Sequence, residues 1–362
     1  MASLFKLVFI IIMQKCSTNS KIEDNRRERE YSISVVIPTL NSSQTLDLCL
    51  RSIMQQKYSG SIEVIISDGG SKDDTIDIAK RWDCKIVHNP RVTGEAGKAE
   101  GVRHASGDII AFIDSDNILP CDNWFQLMVR PFDDNRIVAS EPIMFTYRRS
   151  DSALTRYCAL LGMNDPLCYF LKNYDRLSLL SGKWTGLNIK YSDKGEYIEV
   201  FLEKDNIPTI GANGFLIRRN ILEKVDVGDY LFDIDLVHNL VERGHVRFAK
   251  VRVGIVHLYG RGILTFSRKQ LRRVRDFAYF KSMGLRTYPW SAQRKRGLAI
   301  FIIYCITIIP LVFQAIKGYM KCKDPAWFLH VPACVLTFII YSLGYVEGKL
   351  RPTMHTRLRW SQ

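Results

Sequence analysis

Two aspartates one residue apart, Asp114 and Asp116, follow the apolar run IIAFI at residues 109–113. Two carboxylates this close together repel each other unless a cation or another partner neutralises them. In an extended strand, side chains at positions i and i+2 point the same way. Carboxylates of this kind suit Mg²⁺ or Mn²⁺, which bind through one or two of them together with substrate phosphates. The pair therefore predicts a divalent metal site, with a turn cap by Asp116 as the alternative.

Other polar residues also stand where predicted strands end. The apolar run at 33–37 is followed by Pro38, Thr39 and Asn41, and the next strand ends at Asp68. Helical patterns alternate with these strands, which predicts an α/β fold with a mainly parallel sheet and helices on both of its faces. Ligands of such sheets bind at the carboxyl ends of the strands.

Several other kinds of site are excluded by spacing. GEAGKAEG at 94–101 lacks the gap and the final Ser or Thr of a P-loop, and no GxGxxG follows the first strand. The nine cysteines are scattered without a CxxC pair, so neither a zinc site nor a disulfide framework is indicated. This cysteine pattern fits a reducing compartment.

The net charge of +14 lies entirely beyond residue 265, where it brackets two apolar runs at 297–316 and 326–346. A nucleic-acid-binding protein would carry this charge on its folded domain, so we expect a membrane partner and no nucleic acid. Each run approaches the ~20 residues that a membrane-spanning helix needs. They predict two transmembrane helices, with two buried core helices as the alternative.

Basic residues flank this pair of runs at 294–296 and again in the tail. The positive-inside rule then places both flanks and the large domain on the cytoplasmic side of the cell membrane, although the three lysines between the runs oppose that assignment. The N-terminal run LFKLVFIII is too short to span a bilayer and reads as a signal-like segment, an interfacial anchor or an extension.

Three segments occur in order: VVIPTLNSSQTLDLCLRSI, EVIISDGGSKDDT and GKAEGVRHASGDIIAFIDSD. Together they resemble glycosyltransferase family 2, whose members have the GT-A fold, and the likeness covers about residues 31–265. The resemblance implies that Pro38, Thr39 and Asn41 hold the nucleotide. It also implies that Asp68 recognises the base, usually uracil.

The resemblance implies a donor and metal site as well. Lys98 lies in a helix near the donor and would contact phosphate. Asp114-Ser115-Asp116 matches the DXD motif, in which Asp114 and chiefly Asp116 hold a divalent ion on the sugar-nucleotide diphosphate. His257 in VHLYG matches a histidine that some relatives place near the metal, with a structural histidine as the alternative.

The acceptor half resembles the family more loosely. In PTIGANGFLIRRNIL (208–222), Gly211 and Asn213 belong to a loop whose backbone would approach the donor sugar closely. In LFDIDLVHNLVERGH (231–245), Phe232 replaces the first acid of the family's pattern. The resemblance then places the catalytic base at Asp233 and a supporting acid at Asp235, with a helix N-cap as the alternative for Asp233.

Residues 266–277, FSRKQLRRVRDF, carry part of another family motif. Gln270, Arg273 and Val274 resemble the QxxRW motif of processive relatives, with Val in place of Trp. Basic charge with scattered apolar residues also suits an interfacial helix, and we favour this interpretation with Arg273 near the diphosphate. The missing Trp and the two predicted spans argue against a polymer-extruding synthase.

The resemblance implies a membrane-bound, metal-dependent, inverting hexosyltransferase. Asp233 would deprotonate an acceptor hydroxyl, and the metal would stabilise the leaving diphosphate. The expected donor is a UDP-sugar and the expected acceptor a lipid-linked saccharide or another glycan. The alternatives are a transferase that charges a polyprenyl phosphate and an inactive nucleotide-sugar-binding protein. A nucleotidyltransferase would need a glycine-rich loop after the first strand, where PTLNSSQT has no glycine.

The sequence thus predicts five segments along the chain. These are an N-terminal apolar segment and polar linker (1–30), a GT-A domain (31–265) with a nucleotide-sugar half (31–120) and an acceptor half (121–265), a basic interfacial segment (266–296), two transmembrane helices (297–346) and a basic cytoplasmic tail (347–362).

Overall fold

The computed structural model describes residues 30–289 and 295–350, with residues 349 and 350 described in the main chain only. The predicted N-terminal segment up to residue 29, residues 290–294 of the basic interfacial segment and the tail beyond 350 lie outside this part of the chain. The chain divides into two compact units. The first runs to Thr146 and resumes over Asn188–Leu258, and the second comprises Tyr147–Leu187 and the residues from Tyr259 onward.

The strands all belong to the first unit, whereas the helices are shared between the two. The strands are β1 (Ile33–Thr39), β2 (Ile62–Asp68), β3 (Lys85–His88), β4 (Ile109–Phe112), β5 (Asn117–Ile118), β6 (Ala139–Phe145), β7 (Lys190–Asp193), β8 (Tyr197–Phe201), β9 (Phe215–Arg218) and β10 (Arg247–His257). The helices are α1 (Ser43–Met54), α2 (Thr75–Arg81), α3 (Gly94–Arg103), α4 (Trp124–Val129), α5 (Ala153–Leu161), α6 (Leu167–Leu171), α7 (Arg219–Leu222), α8 (Asp233–Glu242), α9 (Ile263–Ser282), α10 (Lys295–Thr307), α11 (Ile309–Lys321) and α12 (His330–Leu350), with 3₁₀ turns at Arg130–Asp133 and Pro325–Leu329.

The strands form one mixed sheet in the order β3-β2-β1-β4-β9-β6-β10-β8-β7, and β5 pairs with β10. Strands β3, β2, β1 and β4 pair in parallel, as the alternation of strands and helices predicts. Beyond β4 the sheet is mixed, because β9, β8 and β7 pair antiparallel with their neighbours whereas β6 and β10 pair in parallel, so the expectation of a mainly parallel sheet is confirmed only for the core. Strand β9 begins opposite the residue at which β4 ends, since Phe112 pairs with Phe215. The loop before β9 therefore lies at the carboxyl end of the parallel core.

Parallel pairing aligns the ends of the central strands. Thr39 of β1 lies opposite Asp68 of β2, and Asp68 lies opposite His88 of β3. Strand β1 is buried over most of its length because it pairs on both sides and helices cover its faces. Helix α1 buries Leu46, Cys49, Leu50 and Ile53, the i, i+3, i+4 and i+7 positions of an amphipathic helix. The polar residues at the strand ends therefore share one edge of a rigid sheet.

Helix α3 approaches β1 unusually closely through two glycines four residues apart. A Cβ atom on Gly97 would lie 2.8 Å from Cβ of Pro38, and one on Gly101 would lie 2.3 Å from Cγ1 of Val36. Residues four apart share a helix face, so GEAGKAEG is a packing surface rather than a phosphate loop. The close approach fixes the position of Lys98, which follows Gly97 on the same helix.

The second unit contains the predicted membrane segments. The stretch Pro325–Gly348 is long and apolar enough to cross a membrane. The first apolar run does not form one straight helix, because α10 and α11 are bent by 95° at the residue between them. The described residues therefore contain one candidate membrane span. The number rises to two if α10 and α11 together form a second, bent span.

The two residues of the partial QxxRW motif on α9 make contacts within the second unit. Oε1 of Gln270 accepts hydrogen bonds from Nη1 of Arg273 at 2.8 Å and from the hydroxyl of Tyr341 at 2.9 Å. Nε2 of Gln270 donates to the carbonyl of Asn164. Asp165 accepts from Tyr341 and lies 3.7 Å from Arg273. These contacts join α9 to α12, and the predicted contact of Arg273 with a diphosphate stays a prediction.

We expect Gly101→Ala to lower the free energy of unfolding by about 1–3 kcal/mol, because the stiff Val36 side chain cannot move away from the added methyl group. Gly94→Ala on the same helix is the matched control, since a Cβ there meets nothing within 4 Å. The control should be neutral or slightly stabilising. Denaturant unfolding of both variants measures the difference, and equal stabilities would contradict the packing argument.

Candidate active site

The carboxylate of Asp68 organises the loop that follows β2. Its Oδ1 accepts hydrogen bonds from the hydroxyls of Thr39 at 2.9 Å and Ser71 at 2.5 Å. Its Oδ2 accepts from the main-chain N–H groups of Gly70 and Ser71, both at 2.8 Å. A carboxylate offers about four acceptor positions, and all four are filled here. The geometry thus gives Asp68 a role in ordering the loop, and its predicted contact with a base stays a prediction.

Asn41 supports the same loop from the end of β1. Its backbone is left-handed, with φ 49°, a conformation that Asn tolerates better than most residues. Its Oδ1 accepts from the main-chain N–H of Lys72, and its own N–H donates to Ser71, both at 2.8 Å. Pro38 lies half-buried beside the glycine face of α3. The predicted nucleotide residues thus meet at one edge of the sheet.

The two aspartates of the DXD motif do not point the same way from a strand. Strand β4 ends at Phe112, so Asp114 and Asp116 lie in the turn that follows it, where alternation by two no longer applies. Asp114 is near enough to Lys98 and Asp233 to shift the pKa of each. Asp116 instead lies beside His257. The motif therefore contributes one carboxylate to each of two neighbouring clusters.

Asn117 holds this turn in place, a role that sequence reasoning missed. Its Oδ1 accepts from the N–H of Asp114 at 3.1 Å, and its Nδ2 donates to Oδ1 of Asn213 at 3.0 Å. Asn213 has a left-handed backbone, with φ 54°, in the loop before β9. The buried side-chain amides of Asn117 and Asn213 thus join the turn that carries Asp114 and Asp116 to the loop before β9.

Asp116 and His257 form the candidate metal pair. Oδ2 of Asp116 lies 3.4 Å from Nε2 of His257, and both side chains are partly exposed. The short pairing of β5 with the end of β10 brings them together, since Asn117 lies opposite His257. Neighbouring ligands of an octahedral Mg²⁺ are roughly 3 Å apart, so this pair fits one ion. Among the described residues, no group of three or more His, Cys, Asp or Glu could hold a metal alone.

Lys98 and Asp233 form an ion pair between α3 and the start of α8. Nζ of Lys98 lies 2.6 Å from Oδ1 of Asp233, and the lysine side chain is 8% exposed. Burial acts to lower the pKa of Lys98, but the carboxylates of Asp233 and Asp114 outweigh it and raise that pKa. Burial raises the pKa of Asp233 to about 6, against the opposing effect of Lys98. Asp233 is thus a carboxylate that can take up a proton near neutral pH.

The structure separates the two acidic candidates on α8. Asp233 is the first helical residue and Phe232 occupies the N-cap, so the N-cap alternative for Asp233 is wrong. The side chain of Asp233 is 31% exposed, whereas Asp235 is buried. Asp233 is therefore accessible from solvent and Asp235 is not. This distinction was not readable from the sequence, in which Phe232 replaces an acid.

Beneath Asp233 lies a buried ion pair that sequence reasoning also missed. Glu141 of β6 and Lys250 of β10 are fully buried, lie opposite each other, and place Oε2 and Nζ 2.5 Å apart. Oε1 of Glu141 accepts from the N–H of Gly211 at 3.0 Å. A Cβ atom on Gly211, which has φ 119°, would lie 2.9 Å from Cβ of Asp233. Glu141 therefore supports the backbone on which the Asp233 side chain rests.

Comparison with known proteins identifies the family. The model of the glycosyl transferase family 2, described as "Glycosyl transferase family 2", matches residues 34–226, more than half of the chain. The chain belongs to glycosyltransferase family 2. The matched residues include every site residue named above from β1 to the loop before β9. The resemblance inferred from the three sequence segments is thus confirmed at the level of the family.

Two similar proteins are also glycosyltransferases by name. Glycosyltransferase AglE of Haloferax volcanii is 27% identical over 139 residues, which cover 36% of this chain and 45% of that protein. An N-acetylglucosaminyltransferase of Rhizobium sp. strain N33 is 33% identical over 134 residues, covering 34% of this chain and 29% of that protein. The chain therefore spans less than half the length of these relatives.

A solved structure extends the likeness of fold to both units. The mannosyltransferase PcManGT from Pyrobaculum calidifontis, solved in complex with GDP-Man and Mn²⁺, covers 96% of this chain and 95% of its own with a TM-score of 0.51. The two chains are 14% identical, so the likeness is one of fold. It supports the GT-A-like α/β architecture expected from the sequence.

We expect the carboxyl group of Asp233 to titrate near pH 6, about two units above an ordinary aspartate. Because Lys98 lowers this pKa, Lys98→Met should raise it further. Lys80→Met, which removes an exposed lysine paired with Asp77, should leave it unchanged. Carbon-13 NMR of labelled aspartate, followed as a function of pH, measures the pKa of Asp233 in the unchanged protein and in both variants. An unshifted Asp233 in Lys98→Met would contradict the assigned ion pair.

Proposed function

We propose that this protein is a metal-dependent, inverting glycosyltransferase that moves a sugar from a nucleotide-sugar to a hydroxyl group of a membrane-associated glycan acceptor. The observation that carries the proposal is the position of Asp233. It is a reachable carboxylate with a pKa of about 6, and it shares one edge of the sheet with the nucleotide loop and the metal pair.

The strand-end loops supply the donor site. The loop ordered by Asp68 and Asn41 presents main-chain and hydroxyl groups beside β1, where the nucleotide would bind. Asp116 and His257 would hold Mg²⁺ or Mn²⁺ together with diphosphate oxygens, since two protein ligands leave positions for the substrate. When bound, such an ion stabilises the negative charge of the leaving diphosphate. The Asn213 loop would place its backbone against the donor sugar.

Asp233 is the proposed general base. The ionised carboxylate accepts the proton of the acceptor hydroxyl as that oxygen bonds to the anomeric carbon. The bond from the anomeric carbon to the diphosphate breaks, and its electron pair leaves with the nucleotide. A single displacement of this kind inverts the anomeric configuration. Lys98 keeps Asp233 largely ionised at neutral pH, because it opposes the effect of burial.

The presence of a general base, Asp233, favours one class of acceptor over another. A lipid phosphate is already ionised and needs no base, so a reachable Asp233 favours a hydroxyl acceptor over a polyprenyl phosphate. The apolar helices of the second unit support an acceptor that is itself held at a membrane, such as a lipid-linked saccharide. We place the catalytic unit on the cytoplasmic side, where nucleotide-sugars are available.

The identity of the nucleobase in the donor nucleotide-sugar is less constrained than the resemblance implies. The acceptor positions of Asp68 are filled by the loop itself, so this residue gives no argument for uracil over guanine. The structurally similar mannosyltransferase binds GDP-Man. Both UDP- and GDP-sugars therefore belong in the test of function.

The test of the proposed function is turnover of a panel of UDP-, GDP- and dTDP-sugars by the detergent-purified protein, with and without Mn²⁺ or Mg²⁺. We expect metal-dependent hydrolysis of one donor, with inversion at the anomeric carbon. Asp116→Asn should lower this rate by about 100-fold or more, because the metal contributes several kcal/mol. Asp122→Asn is the matched control, since Asp122 is exposed and pairs with Lys57 on the surface.

Failure to bind any donor, with metal or without it, would contradict the proposal and favour an inactive binding protein. Turnover that is stimulated by a polyprenyl phosphate and by no saccharide acceptor would instead favour the lipid-phosphate transferase.

The role of Asp68 has its own test. Asp68→Asn replaces an acceptor oxygen with an amide that faces N–H or O–H donors, so the loop should loosen and donor affinity should fall about tenfold. If Asp68 acts through the loop, UDP and GDP should lose affinity equally. A loss confined to UDP would instead indicate direct recognition of uracil. Calorimetry of both nucleotides, with Asp77→Asn as a surface control, distinguishes the two outcomes.

A further inference from the structure

The bent helix pair α10 and α11 has two contrasting faces. One face packs on the second unit, where Phe301, Cys305 and Leu311 are buried with Phe170 and Cys334. The opposite face exposes large apolar side chains. Among these, Ile306, Ile309 and Phe313 are 67%, 65% and 67% exposed and surround the bend. An apolar surface of this kind needs an apolar partner.

Basic residues mark both outer ends of the pair. Lys295 and Arg296 begin α10, and Lys317 and Lys323 lie near the end of α11 and just after it. Lys321 of α11 is not part of this pattern, because its Nζ donates to main-chain carbonyls of the second unit. Neither helix contains an acidic residue. Lysine and arginine side chains place their charges at lipid headgroups while their stems cover apolar surface. The charge pattern thus indicates that both ends of the pair lie at a headgroup layer, with the apolar bend away from it.

The bend is built into the chain. In a continuous helix, the ring of Pro310 would clash with the carbonyl of Ile306. Ile308 instead adopts a left-handed backbone, with φ 61°, which a β-branched residue rarely does. Its N–H and carbonyl groups remain bonded, to the carbonyl of Tyr304 and to the N–H of Leu311. The local backbone therefore fixes the angle between the two helices.

The lengths of the two limbs fit one leaflet better than a whole bilayer. Each helix has 13 residues and is about 20 Å long. With a bend of 95° and both ends at the surface, the tip reaches a depth of roughly 14 Å, near half of the ~30 Å hydrocarbon core. Stretched across the bilayer instead, the ends would be roughly 26 Å apart, short of that core.

We propose that α10 and α11 form a re-entrant wedge that enters one leaflet of an anionic lipid bilayer and returns to the same face. Lys295 and Lys323 then lie on the same side of the membrane. Among the residues that the structure describes, the stretch Pro325–Gly348 is then the one candidate for crossing the bilayer. This replaces the hairpin of two spans expected from the sequence, and it does not depend on the reaction proposed above.

The proposal is tested in the full-length chain by determining on which side of the membrane the two ends of the α10–α11 pair lie. A single cysteine is placed at Lys323 or at Lys224, an exposed position of the first unit. The part-exposed cysteines of the described residues, and Cys16, which lies outside them, are first changed to serine. The described residues 30–289 contain no candidate span, so Lys224 reports the side on which α10 begins. Sealed vesicles of one orientation, made with phosphatidylglycerol, are then treated with a membrane-impermeant maleimide. The cysteines changed to serine are Cys16, Cys84, Cys121, Cys168 and Cys322.

We expect both positions to react from the same side. Reaction of Lys323→Cys and Lys224→Cys from opposite faces would overturn the proposal, because the pair would then span the bilayer. Lys317→Cys provides a second reporter should Lys323→Cys fold poorly, as judged by its thermal unfolding. Protein that carbonate removes from the vesicles would also overturn the proposal, since the exposed apolar face would then serve a protein partner.

Depth gives an independent readout. Phe313→Trp places a fluorophore near the tip, and Tyr191→Trp places one on an exposed position of β7 in the first unit as a matched control. Lipids brominated along the acyl chain should quench the Phe313→Trp emission several-fold more than that of the control. Equal quenching of the two would contradict insertion of the bend.

Discussion

The ion pair between Lys98 and Asp233 joins parts of the chain that are 135 residues apart, and the chemistry of the site depends on it. The buried lysine and the partly exposed carboxylate both lose hydration, which disfavours the charged form of each. Paired at 2.6 Å they keep their charges, but burial still holds the pKa of Asp233 at about 6. A fully exposed aspartate would be too weak a base to take a hydroxyl proton efficiently, and a fully neutralised one could not take it at all.

Such a pair works only if its two helices are placed accurately, and both placements rely on glycine. Gly97 and Gly101 let α3 lie directly on β1, and Gly211 lets a loop lie directly beneath Asp233. That loop is in turn held by Glu141, whose charge is balanced by Lys250 inside the sheet. Removing one member of a buried ion pair leaves the other charge without a partner, which lowers the free energy of unfolding by about 3–5 kcal/mol. The site is therefore rigid because its supports cannot be loosened singly.

The sequence predicted the parts of the site that lie close to strand ends, because a parallel sheet brings those ends together whatever the details of packing. Asp68, Asp114 and Asp116 were found in this way, whereas Asp233, the first residue of α8, was found only through the family resemblance. It could not predict Glu141 and Lys250, which are 109 residues apart and meet only through the parallel pairing of β6 with β10. Nor could it predict that hydrogen bonds fill all the acceptor positions of the Asp68 carboxylate, since these bonds depend on the backbone conformation of the glycines that follow it.

The same limit explains the membrane segments. An apolar run of 20 residues records length and composition, and both are compatible with a straight span or with two limbs. The difference lies in the backbone of Ile308 and in the two-sided character of α10 and α11, neither of which a hydropathy pattern contains. A wedge in one leaflet would hold the second unit at the lipid surface without a membrane-spanning helix at that point. Such a position would suit the proposed acceptor, because a lipid that carries the acceptor hydroxyl keeps it within the headgroup layer.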